Sequence, residues 1–96
     1  MFEPTIDHTN EKFLITDKPV MVLATDVLQI LNKIDRITIR GEGEFCPATV
    51  SVANIITQNL SNSTMKTEKI SIDSQISDDG RMISTLEIII AKTNNQ

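Results

Sequence analysis

Aromatic residues and cysteine are scarce in this 96-residue chain, which has no Trp or Tyr, three Phe and one Cys. Without aromatic platforms, recognition of nucleic acid by base stacking is disfavoured. The lone Cys46 cannot form an internal disulfide, which agrees with a reducing compartment. The core must therefore be built from aliphatic side chains, chiefly isoleucine.

Long hydrophobic runs are missing as well. No apolar stretch approaches the roughly 20 residues that cross a bilayer. The first ten residues carry two acidic side chains instead of a basic segment followed by an apolar one, which is unlike a secretion signal. We therefore expect a soluble, cytoplasmic protein with no membrane partner.

Basic residues are too few to balance the acidic ones. The chain has 9 Lys and Arg against 13 Asp and Glu, for a formal net charge of −4. A domain dedicated to duplex DNA usually carries a basic balance that offsets phosphate charge. Net charge is an average, however, and a local cluster of cations can still make a positive face on an acidic molecule.

The length and the 40% hydrophobic content suit a single domain, because a chain of this size closes one core. Residues 1–10 and 94–96 are polar and lack periodicity, so we predict two flexible tails around one domain at 11–93.

The first half of the domain is predicted as strand, helix and strand. Phe13–Ile15 makes a short strand, and Asp17 or Lys18 then lies in the cap region of a helix with Pro19 in its first turn. Apolar residues at helical spacing carry this helix to about residue 33. Strict alternation predicts a half-buried strand at 36–40, ended by a loop at Gly41–Gly43.

A second helix is predicted from Pro47 to Leu60, closed by residues 61–63, although its β-branched content weakens the propensity. Two strands follow at 69–77 and 81–91. Asp79-Gly80 between them is a type I′ hairpin signal. The last strand is apolar on both faces, which predicts a homodimer or a dimer with a paralogue, since helices on one side of the sheet leave the other face uncovered.

The resulting order is βαβαββ, an α+β fold with two helices layered on a four-stranded sheet and a protruding C-terminal hairpin. Three segments stand out in it: Lys18-Pro19-Val20-Met21, Ile37 to Gly43, and Asp79-Gly80-Arg81 with Ser84 to Ile88. In the order and spacing of these segments, residues 12–92 resemble the Alba family of small nucleic-acid-binding proteins. The resemblance implies a fold similar to the C-terminal domain of a bacterial translation initiation factor.

The resemblance also implies a function and a set of contacts. In the family, the lysine at the first helix and the loop beside it form the nucleic-acid surface of a dimer, and the hairpins reach along the duplex as arms. Lys18 matches that lysine, and Arg81 lies at the arm. Leu60 lies where the family has an apolar residue in contacts between dimers.

Physical arguments support the same residues independently. A helix N-terminus attracts anions, so Lys18 is placed to hold a phosphate. Arg81 at a hairpin tip suits a minor groove or a phosphate, with readout mostly of shape. Arg40 replaces a lysine common in the family, and two interpretations stay open: a contact to the nucleic-acid backbone, or a surface arginine paired with an acid.

The clearest departures from the family are acidic. Glu42 and Glu44 stand where arginines commonly flank Gly43, and Asp17 replaces a frequent second lysine. We therefore predict a dimeric DNA- or RNA-binding protein of low sequence specificity, in a chromatin, nucleoid or RNA-associated role, which binds more weakly than a basic relative. The alternative is a protein-interaction module that lost nucleic-acid binding and docks a basic partner through Glu42 and Glu44.

No enzyme, cofactor, metal or small-molecule site is predicted. His8 lies in the N-terminal tail without a plausible ligand set, and Cys46 has no histidine placed beside it. Glu42 and Glu44 would suit a hard cation such as Mg²⁺. Two carboxylates on a glycine-rich loop are, however, usually solvated.

Overall fold

The computed structural model describes residues 11–60 and 64–93. Within these residues, four strands form one sheet: β1 (Glu11–Leu14), β2 (Arg36–Glu42), β3 (Met65–Ile76) and β4 (Met82–Lys92). Two α-helices accompany it, α1 (Val20–Leu31) and α2 (Cys46–Asn54). The predicted βαβαββ order is confirmed. The predicted tails at 1–10 and 94–96, His8, and the predicted end of the second helix at 61–63 lie outside the described residues.

The strands are arranged in the order β1-β2-β4-β3. β1 pairs with β2 in parallel, and β4 pairs antiparallel with both β2 and β3. Partners in an antiparallel pair point to the same face. The pairs Ile37 with Ile90 and Ile39 with Ile88 therefore define a helix-facing side of the sheet, and Arg40 with Glu87 belongs to the opposite, open side.

The core lies between the helices and the helix-facing side of the sheet. It is aliphatic, as the absence of Trp and Tyr requires. Its fully buried large side chains include Leu23, Leu31, Ile37, Ile39, Val52, Ile56 and Ile90. The apolar stripe predicted for α1 is confirmed, since Leu23, Ala24, Val27 and Leu31 are its buried residues.

Several element boundaries differ from the prediction, and the first strand covers Glu11–Leu14 instead of Phe13–Ile15. β2 continues through Gly41 and Glu42, where a loop was expected, because these residues pair with Leu86 and Thr85 of β4. β3 begins at Met65 and is four residues longer at its start than predicted. Its register against β4 shifts between Thr67 and Lys69, as at a β-bulge.

The second helix changes its winding along its length. A 3₁₀ turn at Gly43–Phe45 leads into α2, and a π-helical segment at Ile55–Leu60 continues it. Thr49 and Thr57 each donate a hydrogen bond to the carbonyl four residues before, at 2.8 and 2.9 Å. The predicted helix to Leu60 is thus helical throughout but only partly α.

The β3–β4 hairpin extends beyond the part of the sheet that the helices cover. Ile70, Ile72, Ile76 and Met82 lie on its helix-facing side, yet Ile72 is 78% exposed and Ile76 is 70% exposed. Below them, Leu86, Ile88 and Ile90 of β4 are buried. We call the exposed residues Ile70, Ile72, Ile76 and Met82 the arm stripe.

Candidate nucleic-acid interface

Lys18 lies two residues before α1, next to the N-cap residue Pro19 of a helix without a side-chain cap. The carbonyl of Pro19 accepts hydrogen bonds from the N–H groups of Val22 at 3.0 Å and Leu23 at 3.1 Å. Lys18 itself is exposed and makes no ion pair within the described part of the chain. This helix end can offer an anion free N–H donors, the positive end of the helix dipole and a mobile ammonium group.

The predicted roles of Asp17 and Pro19 at this helix were wrong. Pro19 occupies the N-cap position with ψ of 142°, so the helical conformation starts one residue later, at Val20. Asp17 makes no capping hydrogen bond. It lies instead with Glu42 on a shallow cavity of about 220 Å³, which Leu14, Ile15, Thr16 and Phe45 complete. Two carboxylates thus flank the helix end that carries Lys18.

Glu42 and Glu44 lie on either side of a left-handed glycine. Glu42 is the last residue of β2, Gly43 has φ of +56°, and Glu44 is exposed in the 3₁₀ turn. Glu42 is not a free carboxylate, because its Oε2 accepts a hydrogen bond from Arg40 Nε at 3.1 Å. Glu44 has no such partner in the described residues, which leaves it open to solvent.

Arg40 is held by two carboxylates on the open side of the sheet. Besides Glu42, it binds Glu87, whose Oε2 lies 2.7 Å from one terminal nitrogen of the guanidinium. Lys12 Nζ approaches the same oxygen at 3.3 Å. The hydrogen bond from Arg40, followed by that from Lys12, lowers the pKa of Glu87, whereas burial opposes the shift. Bonds to Glu87 and then Glu42 raise the pKa of Arg40.

A second arginine of β2 is paired in the same way. Arg36 donates two hydrogen bonds to Glu68, at 2.7 and 2.9 Å. This fork lowers the pKa of Glu68 and raises the pKa of Arg36. Glu68 sits at the register shift of β3, outside the ladder that its neighbours make with β4. Both arginines of β2 therefore carry internal counter-charges.

The hairpin turn differs from the predicted type I′ turn. The N–H of Gly80 donates to the carbonyl of Ser77 at 2.9 Å, and the N–H of Ser77 donates to the carbonyl of Arg81 at 2.8 Å. The loop therefore contains three residues, 78–80, and Gly80 takes the left-handed position with φ of +87°. This is the arrangement of a three-residue hairpin rather than a two-residue one.

Arg81 follows this loop and is the most exposed of the ion-paired arginines, with 81% of its side chain accessible. Its Nε donates to Asp79 Oδ2 at 3.1 Å. Asp79 also accepts hydrogen bonds from the Ser77 hydroxyl and the Arg81 backbone N–H. These bonds, Ser77 first, lower the pKa of Asp79. Since the pair is open to water, Arg81 can exchange Asp79 for another anion at little cost.

The sheet register places the three predicted cationic contacts toward one end of the molecule. These contacts are Lys18, Arg40 and Arg81. Leu14 lies beside Arg40 in the parallel pair, so the chain leaves β1 for Lys18 at the end where β2 finishes. Glu42 lies opposite Thr85, so the hairpin turn with Arg81 projects past that same end. Leu60, by contrast, is half-buried against the core at the end of the π-helical segment.

A model of the Alba family matches residues 11–74, which run from β1 through almost all of β3. The chain belongs to the Alba family. A search of curated protein sequences found no match.

Solved structures of Alba proteins share the fold. Alba from Thermoplasma volcanium superimposes with a TM-score of 0.74 at 24% identity, covering 85% of this chain and all of that one. ALBA1 from Trypanosoma brucei gives a TM-score of 0.73 at 14% identity, covering 92% of this chain and 74% of that one. These matches confirm the predicted α+β, Alba-like architecture.

Sequence reasoning missed the role of Glu87 in this Alba chain. Glu87 was not among the predicted site residues, yet it lies opposite Arg40 and binds it. Strand parity carried a signal, because Glu87 alternates with the core residues Leu86 and Ile88 and so faces the open side. The register that pairs it with Arg40 was not readable from the sequence.

Two negative findings concern the described residues of this Alba chain. Within 11–60 and 64–93, no three or more His, Cys, Asp or Glu side chains are grouped so that they could hold a metal ion. In the same residues, no helix has the length and apolar character needed to cross a membrane.

Proposed function

We propose that this chain is a dimeric Alba protein that binds DNA or RNA through phosphate contacts, with little sequence specificity. Membership of the family supports the proposal, because Alba proteins in general bind nucleic acids, form dimers and act as binding proteins rather than enzymes. We place its role in the cytoplasm or nucleoid, in chromatin or RNA-associated complexes, with a second copy or a paralogue as the dimer partner.

The exposed Lys18 at the uncapped start of α1 is the observation that carries the proposal. It combines a helix N-terminus, a cation without a described counter-ion, and the position that the family uses for nucleic acid. Arg81 adds a second contact at the end of the arm. Arg40 is a weaker contributor, because Glu42 and Glu87 already satisfy its guanidinium.

The test is binding of the purified protein to labelled duplex DNA and to structured RNA across a salt series. Phosphate contacts make the affinity fall as salt rises. Lys18→Glu is expected to weaken binding and flatten the salt dependence. Lys33→Glu is the matched control, since Lys33 is also exposed and lies just beyond the opposite end of α1. Equal losses in both variants, or no binding by the wild type at low salt, would contradict the proposal.

The alternative function keeps the fold but not the ligand. Exposed Glu44, together with Asp17 and Glu42 around the small cavity, makes an acidic rim beside the Lys18 helix end. A basic protein segment would be attracted to this rim, whereas a phosphate would be repelled. The observation favours a protein-interaction module as the second candidate.

Charge reversal separates the two candidates. Replacing Glu42 and Glu44 together by Arg is expected to tighten binding to DNA or RNA if phosphate is the ligand. If a basic peptide is the ligand, the same substitution abolishes its binding. Titration of a lysine- and arginine-rich peptide alongside the duplex therefore gives opposite outcomes for the two functions.

A further inference from the structure

The open side of the sheet contains a polar cleft whose lining includes the cationic side chain of Arg40. The cleft has a volume of about 170 Å³ and is lined by Arg40, Ser71, Asp73, Gln75, Thr85 and Glu87. Side-chain hydroxyls, an amide and a guanidinium are groups that bind phosphate oxygens. In this cleft, however, the guanidinium of Arg40 is already occupied by carboxylates of the same chain.

Glu87 is the stronger of the two carboxylates that hold Arg40. Its oxygen lies 2.7 Å from the arginine, against 3.1 Å for Glu42, and its side chain is 25% exposed, against 50%. An ion pair that is less open to water is less screened, so it competes better with an external anion. Glu87 also forms an ion pair with Lys12, so a second cation contacts the same oxygen.

We propose that Glu87 acts as an internal substitute for phosphate, which holds Arg40 away from nucleic acid and so limits the affinity of this chain. The inference rests on the proposed function and deepens it by naming the residue that sets the strength of binding. Glu87 is thus an affinity-determining residue that acts through Arg40. Neutralising Glu87 leaves Arg40 held only by the more exposed Glu42, beside a polar cleft that the fold has already formed.

The substitution Glu87→Gln removes the charge and keeps the size of the side chain. One additional phosphate contact steepens the dependence of log K on log salt by about 0.9 for duplex DNA. For each contact, a slope of this size raises the binding constant by roughly eightfold when the salt concentration is lowered from 1 M to 0.1 M. We therefore expect Glu87→Gln to bind a 20-base-pair duplex more tightly and with a steeper salt slope than the wild type.

Asp73→Asn is the matched control for charge alone. Asp73 lines the same cleft, and its substitution changes the net charge by the same amount. In the described residues it accepts a hydrogen bond from the Ser74 N–H but makes no ion pair, so no arginine is released. Asp73→Asn is expected to tighten binding slightly at low salt through the weaker repulsion, with the slope unchanged.

The second part of the experiment uses the Arg40→Gln variant. If Glu87 acts by holding Arg40, adding Glu87→Gln to Arg40→Gln should produce little of the gain in affinity that Glu87→Gln produces alone. A purely structural role of Glu87 would not produce this dependence. Thermal unfolding checks that each variant is folded before its affinity is compared. The four variants are Glu87→Gln, Asp73→Asn, Arg40→Gln and the double variant Glu87→Gln with Arg40→Gln.

The outcomes separate this inference from the proposed function. Wild-type binding that Lys18→Glu weakens, combined with equal slopes for Glu87→Gln and Asp73→Asn, would keep the function and overturn the role of Glu87. A gain that persists in the Arg40→Gln background would also overturn it. No binding by either the wild type or Glu87→Gln would overturn both.

Discussion

The hydroxyl of Thr49 in α2 occupies the space in which a side chain at residue 41 of β2 would lie. A Cβ atom on Gly41 would come within 1.8 Å of Thr49 Oγ1 and 2.7 Å of the Phe45 carbonyl oxygen. The Thr49 hydroxyl is itself held at 2.8 Å by its bond to that carbonyl. Gly41 is therefore required by the close approach of helix to strand, next to Glu42 at the end of β2 and near Glu44 in the 3₁₀ turn.

Gly41→Ala is expected to destabilise the fold by about 2–3 kcal/mol, because the methyl group forces backbone and side chain apart in a packed region. Urea-induced unfolding measures the change. Thr49→Ala in the same chain should restore only part of the loss, since the Phe45 carbonyl remains in contact. A Gly41→Ala protein as stable as the wild type would contradict the geometry.

Gly43 provides a contrasting case two residues later. An added Cβ there meets nothing within 4 Å, but the residue has φ of +56°. Gly43→Ala should therefore cost only the left-handed backbone energy, about 1–2 kcal/mol. Gly43→Asn should cost less, because Asn tolerates this conformation. The same unfolding measurement ranks the three variants, and a larger loss at Gly43 than at Gly41 would refute the distinction.

The pH dependence of stability should reveal the ion pair between Glu87 and Arg40. The folded state lowers the pKa of Glu87 below its ordinary value of 4.5, so the unfolded chain binds the proton more readily. The stabilisation is then fully present above that value and is lost as pH falls through the folded pKa. We expect the urea midpoint of Glu87→Gln to fall less than that of the wild type from pH 5 downwards. If the urea midpoints of the two proteins fall in parallel as pH is lowered, the ion pair contributes nothing to stability.

Periodicity was sufficient to predict the elements and their order. The α1 stripe and the alternation of Ile37 and Ile39 in β2 each mark the face that packs on the core, which the sequence displays directly. The burial of Thr38 on the opposite side of β2 was not predicted. The extension of β2 through Gly41 was not visible, because glycine has low strand propensity and the pairing with Leu86 depends on tertiary register. Boundaries that depend on a partner strand were therefore missed.

The sequence supplied candidate site residues but not their contacts. Lys18 and Arg81 could be named from local signals, a helix start and a turn. The pairing of Arg40 with Glu87 joins residues 47 positions apart, and the fork between Arg36 and Glu68 depends on a register shift in β3. No local pattern encodes these two pairs, so the sequence could leave open an acidic partner for Arg40, but Glu87 and Glu68 were identified as partners only in the fold.

Arg81→Gln should test the arm as a binding element. Arg81 is highly exposed and its partner Asp79 is two residues away, so the substitution should leave stability within about 0.5 kcal/mol. If the arm contacts one phosphate, the salt slope for duplex DNA should fall by about 0.9. Arg36→Gln is the control, because it makes the same charge change at the start of β2. Equal effects of the two substitutions would rule out a specific contact by the arm.

The arm stripe predicts where a second copy of the chain packs. Ile72 is 78% exposed in the single chain, so Ile72→Asn should barely change the stability of an isolated subunit. In a dimer that covers the arm stripe, the substitution removes a buried Ile72 side chain from both copies. Each loss reduces the free energy of dimerisation by about 1.5 kcal/mol or more. The dimer dissociation constant should then rise by roughly 100-fold. Sedimentation velocity over a concentration series measures this shift.

Val22→Asn is the control for the dimer measurement, since Val22 is an exposed apolar residue on α1, away from the arm. It should leave the dimer intact. A wild-type protein that stays monomeric at all concentrations would contradict self-association and favour a paralogue as the partner. A dimer that tolerates Ile72→Asn would place the interface elsewhere on the sheet, where Ile83 and Ile89 of β4 lie on the open side.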